Sequence, residues 1–201
     1  MTATARYVNT ELTVLIVFCS VLFVGIIATM VAFVIRYRRS RHPVAADIRG
    51  NPVLEAIWIV IPTLLVMGIF YVGLTGYLFL RTPPPGAMVV KVEAYQYGWE
   101  FQYENGRKER RLVVPVGQPI RLKLTSRDVI HSFYVPDFRV KQDAVPGLTT
   151  TLWFQADEPG QHDVLCAEYC GLAHSDMLTK VIVLPVAEYE EWYREIPAAA
   201  P

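Results

Sequence analysis

Two long apolar stretches constrain this chain more than any other feature of its sequence. The stretch Leu12–Ile35 contains no charged residue, and Leu54–Leu80 contains one, Glu55, close to its start. About twenty apolar residues in succession cross a bilayer as a helix, and the core helices of soluble proteins seldom stay uncharged for so long. The sequence therefore predicts two transmembrane helices, one over each stretch.

The segment between the two predicted helices is rich in arginine, which predicts the orientation of the chain. Its arginines are Arg36, Arg38, Arg39, Arg41 and Arg49. The flanks on the other side carry only Arg6 and Arg81. Short loops rich in Lys and Arg stay in the cytoplasm. We therefore expect both termini, and the whole segment after Arg81, on the periplasmic side of a bacterial plasma membrane; a mitochondrial inner membrane is the less simple alternative.

The overall composition argues against two other classes of protein. The chain has 19 Lys and Arg against 19 Asp and Glu, so its formal net charge is zero. A nucleic-acid-binding protein would normally carry a basic excess, and a hydrophobic fraction of 53% is too high for a disordered chain. We expect a folded protein that contacts membrane lipid and binds no nucleic acid.

The residue pattern changes after the second apolar stretch. The prolines of Thr82–Ala87 cannot continue a helix and form a stiff spacer. Short segments rich in Val, Tyr, Trp and Phe follow, which is typical of a β-sandwich or small barrel. These segments are MVVKVEAYQYGWEFQY, RLVVPV, PIRLKLTS, TTTLWFQA and TKVIVLPV, with a hairpin loop expected at 105–111. We predict a transmembrane hairpin over 1–81, an all-β domain over 82–187, and a C-terminal helix with a frayed PAAAP tail over 188–201.

The segment Cys166–Met177, CAEYCGLAHSDM, concentrates two thiols, an imidazole and a thioether. A disulfide between Cys166 and Cys170 is one interpretation, since the exported part lies in an oxidising compartment. It leaves His174 and Met177 unexplained and requires a tight, strained loop. Zinc is a second interpretation, but a thioether is a poor zinc ligand. Thiolate, imidazole and a weak methionine together are typical of copper electron-transfer sites.

Two thiols exceed what one copper ion of this type needs, so the copper interpretation requires a pair of metals and a second histidine. The exported part contains His131, His162 and His174. His131 follows an apolar strand, where we expect a loop, and it is the candidate for the second imidazole. His162 begins the strand that leads to Cys166, and we interpret it as a surface or structural residue.

Three segments of the chain resemble subunit II of the haem-copper oxidases. CAEYCGLAHSDM is similar to the binuclear copper motif of that family, Cys-x-Glu-x-x-Cys-x-x-x-His-x-x-Met. DVIHSFYVPDFRVKQDAVPG is similar to its upstream histidine segment, and NPVLEAIWIVIP to the start of its second membrane helix. The resemblance extends from the first apolar stretch to about Val186. It implies a helical hairpin followed by a cupredoxin-like Greek-key domain.

The resemblance also implies a binuclear copper centre, CuA, and its protein ligands. Cys166 and Cys170 would bridge both coppers, and His131 and His174 would bind one copper each. Such a centre implies the electron-accepting subunit of a cytochrome c oxidase, an oxidoreductase complex that also translocates protons. Its partners would be the haem-bearing catalytic subunit I, other oxidase subunits and a c-type cytochrome donor.

Three further residues receive roles from the same resemblance. Met177 would be the weak ligand of one copper, and the backbone carbonyl of Glu168 that of the other. The Glu168 side chain would reach a magnesium ion at the boundary with the catalytic subunit. Glu55 matches the carboxylate near the cytoplasmic mouth of a proton pathway, and an acid at a helix start that faces the cytoplasm can collect protons. A purely interfacial role for Glu55 is the alternative.

The residues themselves offer no means of turning over a substrate on this chain. We find no open metal position, no activated nucleophile and no CxxCH motif for covalent haem attachment. We therefore expect no catalytic oxygen site here: the chain should relay electrons, and oxygen should be reduced in the partner.

The aromatic stretch YQYGWEFQY departs from the family pattern. Tyr97 stands where the family usually has the tryptophan at which electrons enter from cytochrome c. Tyr97 and Trp99 are therefore two candidates for accepting electrons, and core packing is the alternative for both. Phe133 replaces a common tryptophan beside the ligand histidine, and Leu148 replaces a frequent arginine. The identity of the donor is left open.

Two alternative functions remain open at this point. A nitric oxide reductase of the same superfamily would use the same copper domain. A membrane-anchored thiol-redox or copper-delivery protein would use Cys166 and Cys170 as an accessible pair and bind one metal at most. A quinol oxidase subunit would lack the copper ligands, and a purely structural subunit would bind no metal.

Overall fold

Two long helices open the chain in the computed structural model, which describes residues 2–47 and 49–195. Helix α1 spans Ala3–Arg36 and helix α2 spans Pro52–Arg81. Both are long and apolar enough to cross a membrane, and their most apolar windows are not buried by the rest of the chain. The prediction of two candidate transmembrane helices is confirmed, and each helix extends beyond the predicted stretch at both ends.

The start of α2 is determined by two neighbouring residues. Asn51 Oδ1 accepts hydrogen bonds from the backbone N–H groups of Val53 and Leu54, at 3.0 and 3.3 Å, as an N-terminal cap does. Pro52 occupies the first helical position, where a missing N–H costs no helical hydrogen bond. Glu55 therefore lies in the first turn, where the helix dipole favours an acid.

The chain divides into two compact units. One consists of Asn9–Thr75, and the other contains the first turns of α1, the last turns of α2 and the segments that follow. In the second unit, the ring centroids of Tyr7 and Phe79 are 5.4 Å apart, and those of Phe79 and Trp153 are 5.3 Å apart. Gly76 is buried beside Tyr7, whose ring would overlap any Cβ at that position. The domain limits at 81 and 187 stay predictions.

Within the described residues, ten strands form two five-stranded sheets after the helices. They are β1 (Met88–Tyr95), β2 (Gly98–Gln102), β3 (Lys108–Glu109), β4 (Leu112–Pro115), β5 (Pro119–Ser126), β6 (His131–Val135), β7 (Val140–Ala144), β8 (Thr150–Gln155), β9 (Gly160–Cys166) and β10 (Leu178–Leu184). The first sheet has the order β3-β2-β1-β5-β8 and the second β4-β10-β9-β6-β7. The β1–β5 and β10–β4 pairs are parallel, and the others are antiparallel. The prediction of a helical hairpin followed along the chain by an all-β domain is confirmed.

The first predicted strand segment forms a hairpin and not one strand. The turn at Gln96 and Tyr97 separates β1 from β2, which pair from Lys91 with Gln102 to Tyr95 with Gly98. The ring of Tyr95 folds over Gly98, leaving no space for a Cβ there. A uniform alternation of residue types could not reveal this turn, because its aromatic residues also suit a strand.

The core lies between the two sheets and follows the alternation of the strands. In β5 the buried residues Ile120, Leu122 and Leu124 alternate with partly exposed residues. Phe133 of β6 packs edge-on against Trp99 and Phe101 of the other sheet, with ring centroids 5.4 and 6.1 Å apart. Burial of each such side chain contributes about 1.5–3 kcal/mol. The domain is therefore a packed scaffold with aromatic residues at its centre.

A short helix, α3, spans Val186–Arg194. It packs against the loop between β2 and β3. The Tyr103 and Trp192 rings lie 5.1 Å apart, and the Arg107 guanidinium stacks 3.9 Å from the Trp192 ring centroid. Burial raises the pKa of Tyr103 well above its usual range, and its hydroxyl donates to the Val113 carbonyl at 2.9 Å. The chain thus has a C-terminal helix docked on the domain; residues 196–201, with the predicted frayed tail, lie outside the described residues.

Candidate metal centre

The soft ligand residues are brought together at one end of the second sheet. Cys166 ends β9, and Cys170 lies in the loop that follows it. His174 opens a single 3-10 turn, and Met177 lies directly before β10. His131 is the first residue of the neighbouring strand β6 and pairs with Ala144 of β7, so the expectation that it lies in a loop was wrong.

The two cysteine sulfurs face each other without a bond between them. Cys166 Sγ and Cys170 Sγ are 3.9 Å apart, and both thiols are free, whereas a disulfide requires about 2.05 Å. His131 Nδ1 lies 3.9 Å from the Cys166 sulfur, and His174 Nδ1 lies 3.5 Å from the Cys170 sulfur. Each sulfur therefore has its own imidazole.

Two weaker donors complete the group. Met177 Sδ lies 3.8 Å from Cys170 Sγ, and the Glu168 carbonyl oxygen lies 3.4 Å from Cys166 Sγ. The Glu168 side chain is exposed to solvent. In the described part of the chain, one group of three His, Cys, Asp or Glu side chains has its ligand atoms close enough for one metal, within 4.8 Å: His131, Cys166 and Cys170. The described residues therefore provide no comparable group at Glu168 for magnesium.

Burial controls the protonation of the Cys170 thiol. Cys166, Cys170, His131 and Met177 are all buried. Burial, with the neighbouring Cys166 as the second cause, raises the pKa of the Cys170 thiol to about 11. Cys170 therefore carries a proton at neutral pH in the metal-free protein. A buried thiol of this kind is a poor nucleophile, but it becomes a strong ligand once a metal displaces its proton.

The structure adds one residue that sequence reasoning missed, Asp128. Its Oδ1 lies 2.8 Å from His131 Nε2. Burial opposes ionisation of this carboxyl, but hydrogen bonds from His131 and from the Gln96 and Val129 amides outweigh it and lower the pKa of Asp128. Because an ionised carboxylate only accepts, Nε2 of His131 carries the proton and Nδ1 offers its lone pair towards Cys166. The sequence signal that could have identified Asp128 is its position three residues before the candidate ligand His131.

The two aromatic candidates occupy different environments. Tyr97 lies in the β1–β2 turn with 39% of its surface exposed, and a Cβ on Gly171, the residue after Cys170, would lie 2.5 Å from its hydroxyl oxygen. Trp99 is only 2% exposed, and its ring centroid is 6.2 Å from that of His131. Tyr97 is thus a surface residue beside the cysteine loop, and Trp99 is a core residue beside a ligand histidine.

Other sequence candidates lie outside the ligand group. Glu55 is exposed in the first turn of α2 and belongs to the other compact unit. His162 Nδ1 lies 2.7 Å from Asp137, and its ring packs 4.5 Å from that of Phe138, as a structural histidine does. Leu148, which stands where arginine is frequent, is exposed.

Comparison with known proteins decides the family. Residues 3–75 match the family described as "Cytochrome C oxidase subunit II, transmembrane domain" and residues 105–184 that described as "Cytochrome C oxidase subunit II, periplasmic domain". Cytochrome c oxidase subunit 2 of Thermostichus vulcanus is 35% identical over 235 residues, which cover 89% of this chain and 72% of that protein. This chain belongs to the cytochrome c oxidase subunit II family.

Further relatives in the cytochrome c oxidase subunit II family agree. Cytochrome c oxidase subunit 2 of Alkalihalophilus pseudofirmus is 35% identical over 187 residues, which cover 87% of this chain and 55% of that protein. The chain thus spans a little over half the length of this curated relative. A crystal structure of the periplasmic domain of subunit II of cytochrome oxidase of Bradyrhizobium japonicum covers 57% of this chain and 96% of its own, with 30% identity and a TM-score of 0.54.

Membership in the cytochrome c oxidase subunit II family implies a membrane-anchored protein that binds copper. The two apolar helices agree with the membrane anchor. The donor set agrees with copper, because thiolates, imidazoles and a thioether are the soft ligands that copper electron-transfer sites use. The thiols of Cys166 and Cys170 are free, with their sulfurs 3.9 Å apart, and are not joined in a disulfide.

Proposed function

We propose that this chain is the electron-accepting subunit of a haem-copper terminal oxidase. It takes electrons from a c-type cytochrome at a binuclear copper centre and passes them to the haem-bearing catalytic subunit, where oxygen is reduced and protons are translocated. The observation that carries the proposal is the convergence of two free thiols, two imidazoles and a thioether in one cluster on a β domain behind a membrane hairpin.

The proposed ligand roles follow the observed distances. Cys166 and Cys170, with sulfurs 3.9 Å apart, would be the ligands shared by the two metals. His131 and His174, each beside a different sulfur, would each hold one metal. When bound, the copper pair supplies a one-electron site whose charge is shared between two ions. The surrounding residues keep the ligands in place, because strands β6, β9 and β10 fix the backbone on both sides of the cluster.

Two weak ligands and one further metal belong to the same proposal. Met177, which is fully buried, would hold one copper through Sδ, and the Glu168 carbonyl would hold the other. The exposed Glu168 carboxylate would hold magnesium together with ligands from the catalytic subunit. The copper ligands Cys166, Cys170, His131 and Met177 are buried in the domain. Burial keeps water away from these side chains and limits their movement.

The structure favours this function over a thiol-redox or copper-delivery role. Thiol exchange requires an accessible thiolate, which attacks a partner disulfide. Both Cys166 and Cys170 are buried, and the pKa of Cys170 is raised to about 11, mainly by burial. A nitric oxide reductase would use the same copper domain, but the relatives compared above are cytochrome c oxidase subunits.

Orientation and proton uptake complete the proposal. The arginines between α1 and α2 support a cytoplasmic position for that segment in a bacterium and a periplasmic position for the β domain. Glu55 is exposed and then lies at the cytoplasmic start of α2. There it collects protons for a pathway into the catalytic subunit. Lipid and the partner subunits cover the exposed apolar side chains of both helices.

Copper stoichiometry and electron paramagnetic resonance of the full-length chain, reconstituted with copper in detergent, test the proposal. Two coppers per chain and one unpaired electron split by both copper nuclei are the expected result. One copper or none in a correctly folded chain, or a disulfide between Cys166 and Cys170, would contradict the electron-relay function.

Electron acceptance is expected to depend on Tyr97 and not on Trp99. Tyr97→Ala should lower the second-order rate constant for oxidation of reduced cytochrome c by about tenfold or more, because Tyr97 is an exposed aromatic residue beside the Cys170 loop. Trp99→Phe is the comparison, since Trp99 is buried and cannot contact a donor. Stopped-flow kinetics with the assembled oxidase measures both. An unchanged rate constant for Tyr97→Ala would show that Tyr97 does not take part in electron transfer from cytochrome c.

A further inference from the structure

We propose that Gln96 and Asp128 are positioning residues that together form a clip between the histidine segment and the cysteine loop, and thereby set the geometry of the copper ligands. The proposal rests on the proposed function, because it concerns the same ligands. Neither residue is a ligand in that proposal. Both lie in connections between strands, Gln96 in the β1–β2 turn and Asp128 between β5 and β6.

The first half of the clip joins the β1–β2 turn to His131. Asp128 Oδ2 accepts the Gln96 backbone N–H at 2.7 Å, while Oδ1 lies 2.8 Å from His131 Nε2. Oδ1 also accepts the Val129 backbone N–H at 2.7 Å. The carboxylate is therefore held by contacts on both oxygens, and the orientation of the His131 ring is tied to the position of the turn.

The second half joins the same turn to the cysteine loop. The Gln96 side chain donates from Nε2 to the Cys170 carbonyl oxygen at 2.6 Å. A Cβ on Gly171 would lie 3.1 Å from this nitrogen and 2.5 Å from the Tyr97 hydroxyl oxygen. With φ of +131°, Gly171 also has a backbone conformation that other residues rarely adopt. The loop thus approaches the turn closely enough that the residue after Cys170 must be glycine.

The clip crosses from one sheet to the other, and this makes it more than local packing. Gln96 lies in the turn between two strands of the first sheet, whereas His131 begins β6 of the second sheet and Cys170 lies in the loop after β9 of that sheet. Inside the cysteine loop, His174 N–H bonds to Gly171 O at 3.1 Å and Asp176 N–H to Ala173 O at 3.0 Å. These bonds hold the shape of the loop but not its position. The Gln96 amide supplies an external anchor directly at a bridging cysteine.

Loss of this anchor should alter the metal centre before it alters the fold. Gln96→Met keeps the side-chain length and removes the donor, so the Cys170 carbonyl loses its partner and the loop gains freedom. We expect copper release to a chelator to be about tenfold faster, equivalent to about 1.4 kcal/mol. The splitting by the two copper nuclei should become unequal, because Cys170 and His174 move relative to His131. The reduction potential should change with it.

The experiment uses the full-length chain in detergent, loaded with copper, with Gln102→Met as the matched control. Gln102 lies at the other end of β2, away from the loop. Gly171→Ala provides a second test with Gln96 intact, and Gly147→Ala is its control, since Gly147 also has positive φ but no atom within 4 Å of a Cβ. Both Gln96→Met and Gly171→Ala should change the spectrum and the copper release rate, and neither control should.

The metal-free chain separates failure of the clip from failure of the proposed function. Without copper, amide hydrogen exchange across 167–175 should be faster in Gln96→Met than in the wild type and in Gln102→Met. Unchanged exchange, or a wild-type copper spectrum and release rate in Gln96→Met, would overturn the clip. A wild-type chain that does not bind two coppers would contradict the proposed function instead, and the exchange measurement would still decide whether the clip exists.

Discussion

Cys166→Ser should abolish the mixed-valence copper spectrum and electron transfer from cytochrome c. Its sulfur faces Cys170 Sγ at 3.9 Å, His131 Nδ1 at 3.9 Å and the Glu168 carbonyl at 3.4 Å, so it is central to the donor set. A serine hydroxyl is a hard donor that stays protonated, and it cannot replace a bridging thiolate for copper. We expect oxygen consumption with a cytochrome c donor to fall by about a hundredfold or more, or about 2.7 kcal/mol in activation free energy.

Cys19→Ser is the matched control for this experiment. Cys19 is the remaining cysteine of the chain, and it is exposed on α1, in the other compact unit. The control variant should keep two coppers, the spectrum and the rate. Circular dichroism of both variants shows whether the domain is folded. A folded Cys166→Ser chain that retains two spin-coupled coppers would contradict the assignment of Cys166 as a bridging ligand.

Phe133→Ala should lower the free energy of unfolding of the β domain by about 3–5 kcal/mol, the usual cost of deleting a buried aromatic ring. Phe133 has no exposed surface and packs against Trp99 and Phe101 of the opposite sheet. Its register partner on β9 is Cys166, so the cavity would open directly beside the ligand cluster. We therefore expect weaker copper retention together with the loss of stability.

Denaturant unfolding in detergent, followed by tryptophan fluorescence, measures this change because Trp99 lies in the same core. Phe23→Ala is the matched control, since Phe23 is 65% exposed on α1. It should leave the unfolding midpoint of the β domain unchanged. A loss below about 1 kcal/mol for Phe133→Ala would mean that the core closes around the deleted ring.

The departures from the family pattern have different structural meanings. Phe133, which stands in place of a common tryptophan, is a central core residue. Tyr97 is exposed beside the cysteine loop, and its ring is smaller than that of tryptophan. Leu148 is exposed, and no contact that the structure describes explains its replacement of arginine. A donor that contacts Tyr97 would consequently meet a phenol and not an indole.

Local residue pattern was sufficient to predict much of this protein. The lengths of the apolar stretches predicted both helices, because a membrane-spanning helix must stay apolar for about twenty residues. Alternation and turn residues predicted most strands, as for β5, where buried and outward-facing positions alternate through Ile120, Leu122 and Leu124. The spacing of Cys166, Cys170, His174 and Met177 identified candidate ligands, since they lie within twelve consecutive residues, 166–177.

The tertiary structure decided what depends on residues far apart in the chain. The sequence alone determined which side chains are available as soft ligands. Only the pairing of β6 with β9 brings His131 to within 3.9 Å of Cys166, across 35 positions. The same holds for the clip, where Gln96 reaches Cys170 over 74 positions. Such hydrogen bonds join residues that are close in space but far apart in sequence, so no local sequence pattern predicts them. They form because the two sheets pack against each other.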